Sequence, residues 1–216
     1  APAGIAIDAA DNIIIADYNN HRIRMITPAA VVTTIAGNNA GFAEGNGTAA
    51  LFYNPYDVDV DLAGNIYVAD FVNNKIRMIT PAGDVSTVAG SGLEAGGFGY
   101  IDGPALSAEF RRPMGVTVDA SGKVLIADSQ NHSIRVLSTD GVVSTLAGDG
   151  IEGNTDGPSA TARFNQPAKV VIKADGTLFV SDKYNRQIRQ ISAPATILAG
   201  DPAGHVGTHA VTLVAD

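Results

Sequence analysis

The sequence predicts an all-β protein built from four copies of one antiparallel strand unit. Three observations predict it: a motif that returns four times in phase, alternation of apolar and polar residues inside each copy, and abundant turn formers, with 24 Gly and 10 Pro. Short alternating segments punctuated by such residues are the mark of antiparallel sheets.

The phase is set by an Asp with Asn three residues later and Ile-Arg at the sixth and seventh positions. The copies are Asp17-Tyr-Asn-Asn20-His-Arg-Ile-Arg24, then Asp70 with Asn73 and Arg77, Asp128 with Asn131 and Arg135, and Asp182 with Asn185 and Arg189. The Asp residues are 53, 58 and 54 positions apart. Pro2, Pro55, Pro113 and Pro167 each stand 15 residues before the Asp. Gly37, Gly90 and Gly148 follow the Pro by 35 residues, and Gly200 follows by 33. The unit is therefore nearly rigid in length, and the variation falls in the links, which run 18, 23 and 19 residues from Gly to Pro. Rigid units with elastic connections are expected of stacked repeats.

Inside each unit the period is two. In the second copy Val58 and Val60 flank Asp59, a turn at 61–64 leads to Ile66 and Val68, Ile76 and Ile79 follow, and a Pro81-Ala82-Gly83 turn precedes Val85 and Val88. That is a meander of four short strands. Such units arranged radially are the blades of a β-propeller. Blades are expected at 2–37, 55–90, 113–148 and 167–200, with 201–216 outside the repeat and at most one helical turn in each link.

The run Pro-x-Gly-Val-x-Val-Asp, then Gly-Asn-x-Tyr-Val-Ala-Asp, then Asn-His-x-Ile-Arg resembles the NHL repeat. Asn20-His21 and Asn131-His132 carry its signature, while Asn73-Asn74 and Asn185-Arg186 depart from it, and Ile23 and Ile134 replace the signature Leu. The links add an acid, an Ala and a Phe at Glu44/Ala50/Phe52, Asp102/Ala108/Phe110 and Asp156/Ala162/Phe164. The resemblance covers residues 2 to 200. It implies a propeller, usually of six blades in that family. A four-unit arc leaves two blade faces bare, so remaining blades or a second subunit are expected to cover them.

Composition narrows the function. The formal net charge is −8 and the isoelectric point about 4.8, which opposes nucleic-acid binding, since that requires a basic surface to displace counterions. There is no Cys, so neither disulfides nor thiolate chemistry is available. No apolar stretch approaches the ~20 residues of a membrane span. The expected setting is extracytoplasmic: secreted, periplasmic or cell surface.

A residue present in every copy cannot mark a unique site. Asp17, Asp70, Asp128 and Asp182, Asn20, Asn73, Asn131 and Asn185, and Arg24, Arg77, Arg135 and Arg189 are accordingly assigned to structure. The Asp is expected to cap the turn between the second and third strands, with the Asn able to take the left-handed conformation there. Phe52, Phe110 and Phe164 read as plugs between blades. His21 and His132 occupy equivalent slots in different blades and read as turn residues, and the His205/His209 spacing is a weak metal signal. Asp8, Asp61 and Asp119 sit in hairpins that demand Asp for the turn.

Recognition should then fall to side chains that differ between copies. Those are Tyr18, Phe71 and Tyr184 at the turn between the second and third strands, and Glu94, Phe98 and Tyr100 in the longest link. On the innermost strands, the slot held by Gly4 and Gly115 becomes Asp57 and Lys169, which with Asp59 are expected to form a polar patch at the channel mouth. The function read from this is a non-catalytic binding module for a protein, peptide or glycan, with no cofactor and no metal. The alternative is a metal-dependent lyase or hydrolase on the same scaffold.

Overall fold

The computed structural model describes residues 1–91, 98–192 and 210–213. They form four antiparallel sheets, each a meander running outward from the chain's innermost strand. The first sheet contains β1 (Ile5–Ile7), β2 (Ile13–Asp17), β3 (Arg22–Ile26) and β4 (Val32–Gly37). The second takes β5 (Gly45–Asn46) from the link and adds β6 (Pro55–Val60), β7 (Ile66–Asp70), β8 (Lys75–Ile79) and β9 (Asp84–Ala89). The third has β10 (Gly103–Pro104), β11 (Pro113–Val118), β12 (Val124–Asp128), β13 (Ser133–Leu137) and β14 (Val142–Ala147). The fourth has β15 (Gly157–Pro158), β16 (Pro167–Ile172), β17 (Leu178–Asp182), β18 (Gln187–Ile191) and β19 (Ala210–Leu213).

Two features differ from the sequence expectation. Each link lends a two-residue strand to the outer edge of the blade that follows, so β5 pairs with β9, β10 with β14 and β15 with β19. This covers part of an otherwise open edge. In the fourth sheet the outer strand is Ala210–Leu213, inside the segment 201–216 that the repeat spacing leaves out, while the segment ending at Gly200 lies outside the described residues. Single 3-10 turns occur at Tyr18–Asn20 and Ser129–Asn131, between the second and third strands, as well as in a link at Gly47–Ala49.

The core lies between blades. Ile14, Ile23, Phe52, Val58, Val68 and Ile79 fill the first junction, Ile76, Phe110, Val116 and Ile126 the second, and Ile134, Phe164, Val170 and Val180 the third. Phe52, Phe110 and Phe164 are fully buried, and removing such a side chain from water is worth roughly 2–3 kcal/mol each. Ile188, in the position that Ile23, Ile76 and Ile134 bury, is 49% exposed on the fourth blade, and Ile5, the counterpart of buried Val58, is 62% exposed on the first.

Because every blade runs the same way, one end of the array collects the links, the starts of the inner strands and the turns between second and third strands. The other end collects the remaining hairpins. The first is here called the linker face.

Candidate functional site

The recurrent Asp, Asn and Arg form one network that fastens each link. Asp128 accepts the Arg111 N–H with Oδ1 at 2.8 Å, and with Oδ2 the amide of Asn131 at 2.8 Å and the guanidinium of Arg135 at 2.8 Å. Asn131 also donates to the Gly99 carbonyl at 2.6 Å, and Arg135 to the carbonyls of Glu109 and Ile101. Asp70 and Asp182 repeat this pattern, with the N–H of Tyr53 and of Asn165 and the side chains of Arg77 and Arg189. The Asp therefore holds the incoming link instead of capping its own turn, whose backbone receives no side-chain bond at Asp17 or Asp128. Burial pushes the Asp70 and Asp128 carboxyls up to about 6, against the pull of Arg77 and Arg135.

The left-handed residue of the turn is the one after the Asn: His21, Asn74, His132 and Arg186, with φ between 51° and 57°. Three of these reach the next blade. His21 Nδ1 accepts the Asn54 N–H at 3.1 Å, Asn74 Oδ1 the Arg112 N–H at 2.8 Å and His132 Nδ1 the Gln166 N–H at 3.3 Å. Accepting with Nδ1 requires neutral imidazole, and burial lowers both histidines below their ordinary pKa.

Between these fastenings, the starts of the four inner strands surround a cup of about 270 Å³ at the mouth of the axis. A β-bulge follows each inner-strand Pro: Pro55 pairs with Asp70 and Asp57 with Ala69, leaving Tyr56 extra, and Met114 and Ala168 are extra in the same way. Bulges re-aim side chains, and Tyr56, Met114 and Ala168 line the cup with Gly4, Asp57 and Lys169. Lys169 Nζ lies 2.5 Å from Asp57 Oδ2 and donates to the Val116 carbonyl at 2.7 Å. Asp57 Oδ2 also accepts the Val116 N–H at 3.0 Å. Burial raises the Asp57 carboxyl, with Lys169 opposing. Gly4 and Gly115 are required by close approach: a Cβ on Gly4 would stand 2.3 Å from Asp57 Oδ1, and one on Gly115 2.6 Å from the Ala168 carbonyl. Asp59 stands apart from the pair and ties blades together, its Oδ2 accepting the Val118 N–H at 2.8 Å.

An aromatic wall rises beside the cup. Tyr18 and Tyr56 meet edge to face at 5.5 Å, the rings of Tyr56 and Phe71 lie 5.6 Å apart and tilted by 35°, and Arg112 lies over Phe71 at 5.4 Å. Phe98 is exposed beneath Arg111 at 4.9 Å, and Tyr184 is exposed with Lys183 at 5.3 Å. Tyr100 is committed to structure in part, its hydroxyl 3.0 Å from Ser133 Oγ and its ring under Arg135 at 4.9 Å. Glu94, His205 and His209 lie outside the described residues. Sequence reasoning passed over Tyr56 and Met114, and also the pairs Tyr53-Asn54, Arg111-Arg112 and Asn165-Gln166. Each pair is a variable dipeptide between a recurrent Phe and a recurrent Pro, which is the signal that marks it.

A larger cleft, about 600 Å³, opens between the first two blades at the opposite end, lined by Ile14, Met25, Ile35 and Ile66 with turn residues. Its carboxylate, Asp8, is spent on its own turn, accepting the N–H groups of Ala10 and Asn12. Among the described residues no three His, Cys, Asp or Glu side chains converge as a metal site would require.

The NHL repeat family matches residues 1–24 and 110–137. NHL repeat-containing protein 2 of Gallus gallus is 33% identical over 170 residues, covering 75% of this chain and 22% of that protein. The chain belongs to the NHL-repeat family. A structural genomics protein of unknown function from Bacteroides thetaiotaomicron superposes on this NHL-repeat chain with a TM-score of 0.73 and 25% identity, over 88% of this chain and 46% of the other. An auxiliary nutrient binding protein from Bacteroides ovatus superposes with a TM-score of 0.70 and 18% identity, over 88% and 48%. The NHL chain thus spans less than a quarter of the avian relative and under half of these two structures. Among the described residues no helix is long and apolar enough to cross a membrane.

Proposed function

We propose that this chain is a non-catalytic binding module whose linker face takes up a protein, peptide or glycan ligand. The observation that carries the reading is the division of labour on that face. In the second, third and fourth copies the recurrent side chains are consumed in fastening links, while those peculiar to one copy (Tyr18, Tyr56, Phe71, Asp57, Lys169) lie at or beside the mouth of the axis. A rigid frame presenting aromatic and charged groups around a concave centre suits recognition. The likeness in fold to an auxiliary nutrient binding protein supports a binding role and the extracytoplasmic setting that we include in the proposal. The exposed apolar faces of the first and fourth blades support cover by further blades or a second subunit.

A mixed glycan and peptide array probed with the purified chain tests the reading. Variants Tyr18→Ala and Tyr184→Ala on the linker face are expected to lose signal, and Lys123→Ser and Lys173→Ser at the opposite end to keep it. Signal insensitive to the linker-face changes, or lost only with the opposite-end changes, contradicts the proposal.

A further inference from the structure

The cup at the axis mouth presents a cation, although the chain as a whole carries −8. Of the Asp57–Lys169 pair, the Asp57 side chain is 7% exposed and the Lys169 side chain 35%. Asp57 is spent inward, on the Val116 N–H and on Lys169 itself. An ammonium has three donors, and Lys169 uses two, on Asp57 and the Val116 carbonyl, which leaves a third for a ligand. Arg111 and Arg112 add positive charge on the same face, and Arg112 reaches the wall of the cup through Phe71. The rest of the lining is apolar or aromatic. Tyr56 offers a ring held in place by Tyr18 and Phe71, and Met114 a thioether.

A cup of about 270 Å³ is smaller than the range of drug-sized sites. It admits one ring, not an extended peptide, which needs a groove several residues long. The electron-rich face of an aromatic ring attracts polarised C–H groups. We infer that this cup is a site for a sugar acid, free or at the end of an acidic glycan, with its carboxylate on Lys169 and its C–H face against Tyr56. The inference rests on the binding-module reading and names the ligand class for it.

Calorimetric titration of the chain with sodium D-glucuronate, D-glucose and a capped acidic tetrapeptide decides it. Glucuronate is expected to bind at least about tenfold tighter than either comparator, a charge-assisted hydrogen bond being roughly twice as strong as a neutral one. Lys169→Gln should weaken glucuronate about tenfold or more, and Met114→Trp, which fills the cup while leaving both members of the ion pair in the chain, should abolish it. Should Lys169→Gln fail to fold, Met114→Trp alone carries the test. Equal binding of glucose, tighter binding of the peptide, indifference to both variants, or no glucuronate binding overturns the assignment. A neutral array ligand whose binding depends on Tyr18 would sink the sugar acid and leave the binding module standing. A comparison of glucuronate with an oligomer ending in it separates the free acid from the glycan terminus.

Discussion

The first and third blades carry the same three side chains at the same spacing and put them to different use. In the third, Asp128 and Arg135 are fully buried, 2.8 Å apart, and roofed by the link between Phe98 and Arg112. In the first, Asp17 holds Asn20 by two bonds of 2.9 and 3.0 Å, but Arg24 stands 3.9 Å away and its side chain is 29% exposed. What differs among the described residues is the origin of the partners: residues 101–111 of the link lay two carbonyls and an N–H over Arg135 and Asp128, whereas the carbonyl that meets Arg24 is that of Thr33 on the blade's own fourth strand. The motif is thus a socket for the link, and its energy belongs to the pair of socket and loop. Exposed ion pairs are worth about 0–1 kcal/mol, whereas breaking a buried one costs about 3–5 kcal/mol.

That comparison can be broken most forcefully by removing the roof. Phe110→Ala deletes a fully buried ring that packs on Arg135 at 5.3 Å, and should cost about 3–5 kcal/mol of unfolding free energy by urea titration. The third blade would then come to resemble the first, with Arg135 opened to water. A smaller loss is expected from Asp59→Ala, which strands the Val118 N–H between the second and third blades and should cost roughly 1–3 kcal/mol. An unchanged midpoint there would mean that Asp59 is free for a ligand after all.

The smallest effect sharpens the comparison by pH. His132 is held neutral by accepting the Gln166 N–H, with its pKa lowered, so its contribution is present above about 6.5 and is lost as pH falls toward the folded value. The buried Asp70 and Asp128, raised to about 6, act oppositely: the fold keeps their protons longer, and stability falls as pH rises between about 4 and 6. The histidine signal is therefore the difference between the parent chain and His132→Asn, which borrows the residue used at Asn74 in the same left-handed conformation. That variant should match the parent near pH 7 and gain on it by about 1 kcal/mol by pH 5.

The fold was legible because period two and a phased motif are both imposed by burial: along β7 Val68 meets the first blade and Ala69 the third, so successive side chains serve opposite junctions. The structural standing of the recurrent Asp, Asn and Arg was legible from recurrence alone. Their partners were not, since the N–H of Arg111 lies 17 residues before Asp128 and has no pattern of its own. The two-residue strands Gly45–Asn46, Gly103–Pro104 and Gly157–Pro158 are too short to alternate and exist only through the edges they join. Tyr56 and Met114 were hidden for a related reason: a bulge adds one residue without changing the apolar pattern around it. Asp57 and Asp59, two apart on one strand, read as one patch. Their separation comes from the third blade, which offers Lys169's neighbour Val116 to one and the Val118 N–H to the other.

The most direct test of the socket account is urea unfolding of Arg24→Ala and Arg135→Ala side by side. Truncating Arg135 should destabilise the chain by about 3–5 kcal/mol and truncating Arg24 by no more than about 1 kcal/mol. Equal losses at the two positions would show that the motif stabilises its own turn, and would contradict the account.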